Sequence, residues 1–193
     1  MKPQASLRDF VEDRLLAALS AREVLLILVN ESRQVLPHEF AAFLPSKQTP
    51  DLEMTFAGVV SADRNSPCAQ YLRRLESLWG GQNTPREFLS TDFPPAAARE
   101  WGQWLPGRLL LCPVFLRDGG PAGYLLLGRA QEWTPEDLTL AGRLCKVAGA
   151  MLRTLRRPGL SARLRGFFRI GPAWIAGLVL LVLSNGSDRK SVV

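Results

Sequence analysis

Apolar residues Leu7, Phe10, Val11, Leu15 and Leu16 recur at helical spacing among Arg8, Asp9, Glu12, Asp13 and Arg14. This pattern predicts an amphipathic helix from Ser6 to about Leu19, filling an N-terminal segment 1–19. Ser20 and Glu23 have capping-box spacing, so a second helix starts there, carries Val24, Leu25, Ile27, Leu28, Val35 and Leu36, and stops at Pro37. Glu39 to Leu44 is a short apolar strand, and residues 45–50 form a loop. The loosely alternating stretch from Leu52 to Val60 predicts a second strand paired with the first. Ser66 and Pro67 start a helix holding Ala69, Tyr71, Leu72, Leu75 and Leu78, which ends at Gly80 and Gly81. A short strand follows around residues 87–89, then a brief helix opened by Pro94 and Pro95 and closed by Pro106 and Gly107.

Two continuous apolar runs, Arg108 to Arg117 and Ala122 to Ala130, flank Asp118-Gly119-Gly120-Pro121 and predict a hairpin covered on both faces. Pro113 inside the first run predicts a bulge or an edge position. Thr134 caps the last helix, with Pro135 in its first turn and Glu136 and Asp137 at the positive end of its dipole. Its apolar face runs through Leu138, Ala141, Leu144, Cys145, Ala148, Met151, Leu152 and Leu155. The set predicts an α+β domain over residues 20–156, an antiparallel sheet covered by helices.

Charge changes the picture after that helix. Residues 1–152 carry 16 basic and 17 acidic side chains, and residues 153–193 carry 8 basic ones against Asp188 alone. The overall charge of +6 is therefore concentrated at one end. Arg153, Arg156, Arg157, Arg163, Arg165 and Arg169 form a collar, and Ile170 to Ser184 has no charge. A basic collar beside an apolar run predicts a juxtamembrane linker at 157–169, a span at 170–184 and a cytoplasmic domain before them. The collar would meet the anionic lipids of an inner membrane, and the near-neutral domain argues against nucleic acid as partner. A span needs ~20 apolar residues, so the 15 of 170–184 predict an incomplete helix. The polar tail 185–193, whose DRKSVV matches a translated sequencing adapter, is expected to be non-native to a longer protein.

The order of elements, with VNESRQVLPHEFAAFL, LLLCPVFLRDGGPAGYLLLGR and EWTPEDLTLAGRLCKVAGAML, resembles a GAF-type domain over residues 20–155. With the collar and apolar run, the whole resembles the front part of bacterial HlyD-like membrane fusion proteins that carry such a domain. That resemblance implies a periplasmic adaptor subunit of an efflux or secretion system, partnered by an inner-membrane transporter and an outer-membrane channel. The alternative is a membrane-tethered GAF-like sensor acting alone, able to dimerise through its final helix. The resemblance also implies a small-molecule site between the sheet and its covering helices. The Asn-Lys-Phe-Asp-like motif of the cyclic-nucleotide type is absent. The chromophore type needs a positioned cysteine, and Cys68 is the candidate, although an ordinary thiol is the expectation.

The remaining chemistry is sparse. Cys68, Cys112 and Cys145 form no CxxC pair and are expected to be reduced. His38 beside Glu39 could be a base with its orienting acid, but a lone histidine at a helix-to-strand corner is more often a surface or capping residue. Ser66 and Ser90 lack a nucleophile-elbow context, and Gly119-Gly120 is not followed by the Lys-Ser/Thr of a phosphate loop. Trp101, Trp104 and Trp133 are expected in the core rather than in a pocket. Asp13-Arg14 and Arg73-Arg74 are expected on solvated helix faces. No catalytic residue, cofactor site or metal site is assigned, and the expectation is a non-enzyme.

Overall fold

The structure, a computed structural model, describes residues 3–58, 63, 65–79, 81–116 and 120–156. The chain divides into two units, Met1–Arg156 and Arg157–Val193. The linker, span and tail expected at 157–169, 170–184 and 185–193 lie outside the described residues. Among the described residues no helix is long and apolar enough to cross a membrane.

The two longest apolar runs pair as the hairpin predicts. Strand β4 (Arg108–Phe115) is antiparallel to β5 (Pro121–Arg129). With β1 (Phe40–Pro45), β2 (Thr55–Phe56) and β3 (Arg86–Leu89) they form one antiparallel sheet in the order β2-β1-β5-β4-β3. Leu126 sits at its centre, opposite Ala42 on one side and Leu111 on the other. Alternate side chains enter opposite layers, because successive residues of a strand point to opposite faces. Leu110, Cys112, Leu125 and Leu127 join one apolar cluster, while Leu109, Leu111 and Leu126 join the other. That is why these runs are apolar throughout: both faces of the sheet are covered.

One face is covered by α1 (Pro3–Ala17), α2 (Ala21–Asn30) and α5 (Pro135–Leu155). The other lies under α3 (Pro67–Glu76) and α4 (Pro95–Trp104). Helix α1 inserts Val11 and Leu15 into the first cluster, yet Leu7, Phe10 and Leu16 stay largely exposed. Its buried stripe is narrower than the apolar spacing predicts.

Several boundaries differ from the pattern. Helix α2 ends at Asn30 and continues as a 3-10 turn, Glu31–Gln34. Val35 and Leu36 are buried from the segment after that turn, so their helical spacing was misleading. The second strand shrinks to Thr55–Phe56 because Gly58 adopts φ 73° and gives its N–H to Asn30 Oδ1 at 2.9 Å instead of a ladder. Val59 and Val60, expected at its end, lie outside the described residues. Pro45, expected in a loop, closes β1 opposite Gly123. Leu78, expected in the α3 face, is exposed beyond the helix end. Around Pro113 both predicted features occur: the register shifts between Val114 and Phe115, and the β3 pairing stops at Leu111.

Candidate functional site

The residues singled out by their chemistry are put to structural use. His38, expected at the surface or as a cap, is instead buried at the corner before β1, and its Nδ1 lies 2.7 Å from the Leu36 carbonyl oxygen. A carbonyl can only accept, so this contact calls for the proton on Nδ1. Burial holds the imidazole below its ordinary range, with Arg33 and Arg129 adding to the effect, while the Leu36 and Val29 carbonyls pull the other way. Ser66 caps α3 by accepting from Ala69 N at 3.3 Å, and the Ser90 carbonyl accepts from Phe93 N in a 3-10 turn. Gly119 lies outside the described residues. Gly120 leads into β5, where a Cβ would meet Gln48 Oε1.

The three tryptophans pack. Trp101 stacks against Phe93 with ring centroids 5.4 Å apart and donates from Nε1 to the Pro106 carbonyl. Trp104 is half-buried against the same cluster, and Trp133 lies in the opposite layer beneath Arg129. Cys112 and Cys145 are buried free thiols, and burial pushes Cys112 well above the ordinary thiol range. Arg74 pairs with Glu100, while Arg73 is tied to the Pro45 carbonyl and Glu76. Among the described residues no cluster of His, Cys, Asp or Glu could hold a metal.

The layer between the sheet and α3/α4 is rich in aromatic side chains. Tyr71, Trp79, Phe88, Phe93, Trp101 and Tyr124 occupy it, with Trp79 and Tyr124 edge to face at 6.0 Å. Open space lies at the margins. A 510 Å³ cavity faces the start of α5, and three of its charged lining residues are tied to neighbours outside it. Glu12 lies within 4 Å of both Arg8 and Arg143, and Asp137 is bound by Arg129.

A 380 Å³ cavity at the β1/β2 margin differs. It is bounded by Glu39, Phe40 and Ala41 of the β1 segment, Phe56 and Ala57 of the β2 segment, and Asp63, Ser66 and Cys68 near the start of α3. Phe40 and Phe56 meet edge to face at 6.3 Å. The Cys68 thiol is half-buried, and desolvation raises its pKa, which keeps it protonated at neutral pH. Asp63 Oδ1 accepts from Asn65 N at 2.8 Å, and no described cation pairs with Asp63 or Glu39. This is the candidate site. Sequence reasoning had marked only Ser66 and Cys68 near it. Glu39 was considered solely as a partner for His38, and nothing in the local pattern signals that β1, β2 and α3 converge there.

Solved structures share this architecture. The GAF domain of an Acinetobacter phosphoenolpyruvate-protein phosphotransferase aligns at TM-score 0.52 and 15% identity, over 82% of this chain and 98% of that one. The phycocyanobilin-bound GAF domain of a cyanobacterial phytochrome gives 0.60 at 11% identity, over 80% and 96%. The chain has a GAF-like fold. An N-acylhomoserine-lactone-dependent LuxR-family transcription factor from Burkholderia cenocepacia also aligns, at 0.54 and 14% identity over 80% and 99%. At such identities the likeness fixes the fold and leaves function to the site. No protein-family model matches the sequence. No curated protein matches it either.

Proposed function

We propose that the chain is a membrane-tethered, non-catalytic GAF-like module that senses a small molecule at the β1/β2 cavity. The observation carrying this is the open 380 Å³ space at the β1/β2 margin, bordered by the half-buried Phe40 and Phe56 and by Ser66 and Cys68 at the start of α3. The tether rests on the arginine collar and the uncharged run from Ile170 to Ser184. A thermal-shift screen of the purified chain against cationic, anionic and neutral metabolites tests it. At least one class should raise the melting midpoint in a concentration-dependent way. A flat response across all classes removes the sensory function.

A finer version makes this module the cytoplasmic sensory or docking domain of a HlyD-like periplasmic adaptor, working with an inner-membrane transporter and an outer-membrane channel. Its support is the resemblance and the order of domain, collar and apolar run. Sequencing the locus beyond Ser184 is the direct test: a lipoyl-like region there supports the adaptor, and a stop codon leaves the stand-alone sensor.

A further inference from the structure

We propose that the end of the domain where α5 terminates docks on a phospholipid bilayer through Leu16, Leu19, Leu78 and Phe115; this deepens the tether proposed above and rests on it. Among the described residues six large apolar side chains are left exposed, and these are four of them, with Leu19 at 86%. They belong to three separate segments that reach the same end. Leu16 and Leu19 lie at the turn from α1 to α2, where Arg22 Nε stands 4.0 Å from Glu53. Asp51, two positions before Glu53, accepts both hydrogen bonds from Arg156 at the end of α5. Phe115 closes β4 opposite Pro121, with its carbonyl against Gly149 in the second half of α5. Leu78 follows α3, whose Arg73 donates to the carbonyl of Pro45 at the end of β1. The other two, Leu7 and Phe10, flank Arg8, which shares a cavity with Pro135 at the opposite end of α5.

Chain length says what covers this end. Helix α5 has 21 residues and is ~32 Å long. Residues 157–169 separate Arg156 from Ile170 and span at most ~45 Å. Turning the opposite end to the bilayer would spend most of that reach on running back along the domain. The end that carries the end of α5 faces the bilayer without it. A tether of this length holds the domain at an effective concentration on the order of 1 mM, so burial of a few apolar side chains is enough to dock it. Asp51, Glu53 and Glu76 at this end each lie against an arginine, namely Arg156, Arg22 and Arg73, which limits their repulsion from anionic headgroups.

The test reconstitutes the whole chain, carrying Cys68→Ser, into vesicles of phosphatidylcholine and phosphatidylglycerol. A polarity-sensitive dye is attached in turn through Leu19→Cys, Leu78→Cys and, as the far-end control, Phe10→Cys; Cys112 and Cys145 are buried and stay unlabelled. Spin-labelled lipid quenches a dye only where it touches the bilayer. The dye at positions 19 and 78 should emit at shorter wavelength than at position 10 and lose emission when spin-labelled lipid is added. The dye at position 10 should keep its emission. Short-wavelength emission that spin-labelled lipid leaves intact means that a second copy of the chain covers this end, and it overturns lipid docking. Equal quenching at all three positions, or quenching at none, overturns it as well. Alkaline carbonate extraction reads the tether separately. A chain that stays with the vesicles but shows no quenching keeps the tether and loses the docking, and a chain released by carbonate loses both.

Discussion

Arg129, within a tenth of full burial, reaches the Pro37 and Gln131 carbonyls, the Glu132 carbonyl, the Asp137 carboxylate at 2.6 Å and the face of Trp133 at 3.9 Å. Most of these partners lie within eight positions of Arg129 in the sequence, and Pro37, 92 positions away, is the one that only the fold brings near. For Leu126 an apolar run announced its burial. Leu126→Asp introduces a carboxylate between Ala42 and Leu111, inside an apolar cluster. The expected cost is at least about 4 kcal/mol, enough to abolish cooperative unfolding in many domains. A soluble variant of near-parental stability would remove β5 from the centre of the sheet. His38 supplies a pH dependence. Its folded pKa lies below the ordinary 6.5, so between those two values the unfolded chain binds more protons than the folded one. Stability should fall as pH drops through that window, by at most ~1.4 kcal/mol per unit, and level off below the folded value. Because His38 is the single histidine, denaturation curves of the parent and His38→Gln should differ in slope only there. Parallel curves would mean the ring is solvated.

At the scale of elements, legibility followed termination chemistry. The start of α5 was plain because the signals agree: Thr134 Oγ1 accepts from Asp137 N at 3.2 Å, and Asp137 Oδ2 accepts from Thr134 N at 3.1 Å. Thr134→Ala should cost about 1 kcal/mol in chemical denaturation, and Thr134→Ser should restore most of it. The end of α2 was not legible, since Asn30 meets Gly58 across 28 positions of sequence. Nor was the closeness of α5 to β4. A Cβ on Gly149 would stand 2.2 Å from the Phe115 carbonyl oxygen. Alanine there gains up to about 1 kcal/mol of helix propensity, but displacing packed backbone costs about 1–3 kcal/mol. Gly149→Ala should therefore be destabilising, and a raised melting midpoint would show that α5 can lift from the sheet without loss. The β1/β2 cavity belongs with the hidden features, because three separate segments build it.

For the whole molecule, the charge asymmetry makes a claim about orientation that the fold refines. Arg156 makes two hydrogen bonds to Asp51, at 2.6 and 2.8 Å, so it belongs to the domain and not to a free collar. Asp51 is exposed and Arg156 half-buried, and surface pairs of this kind are worth ~0–1 kcal/mol. Arg156→Gln should thus lower the domain's melting midpoint slightly and leave membrane orientation unchanged. Arg157, Arg163, Arg165 and Arg169 carry the orienting charge, since positive residues next to a span stay on the cytoplasmic side. Replacing these four by Gln should leave the midpoint unchanged and mix the orientation. The two effects separate because each is read by a different measurement: thermal unfolding for the domain, and reporter domains fused ahead of Met1 of the whole chain for orientation. In the parent, a fluorescent-protein fusion at that point should be bright and an alkaline phosphatase fusion inactive. Phosphatase activity in the parent fusion would put the domain on the far side of the membrane and end the tethered-sensor proposal.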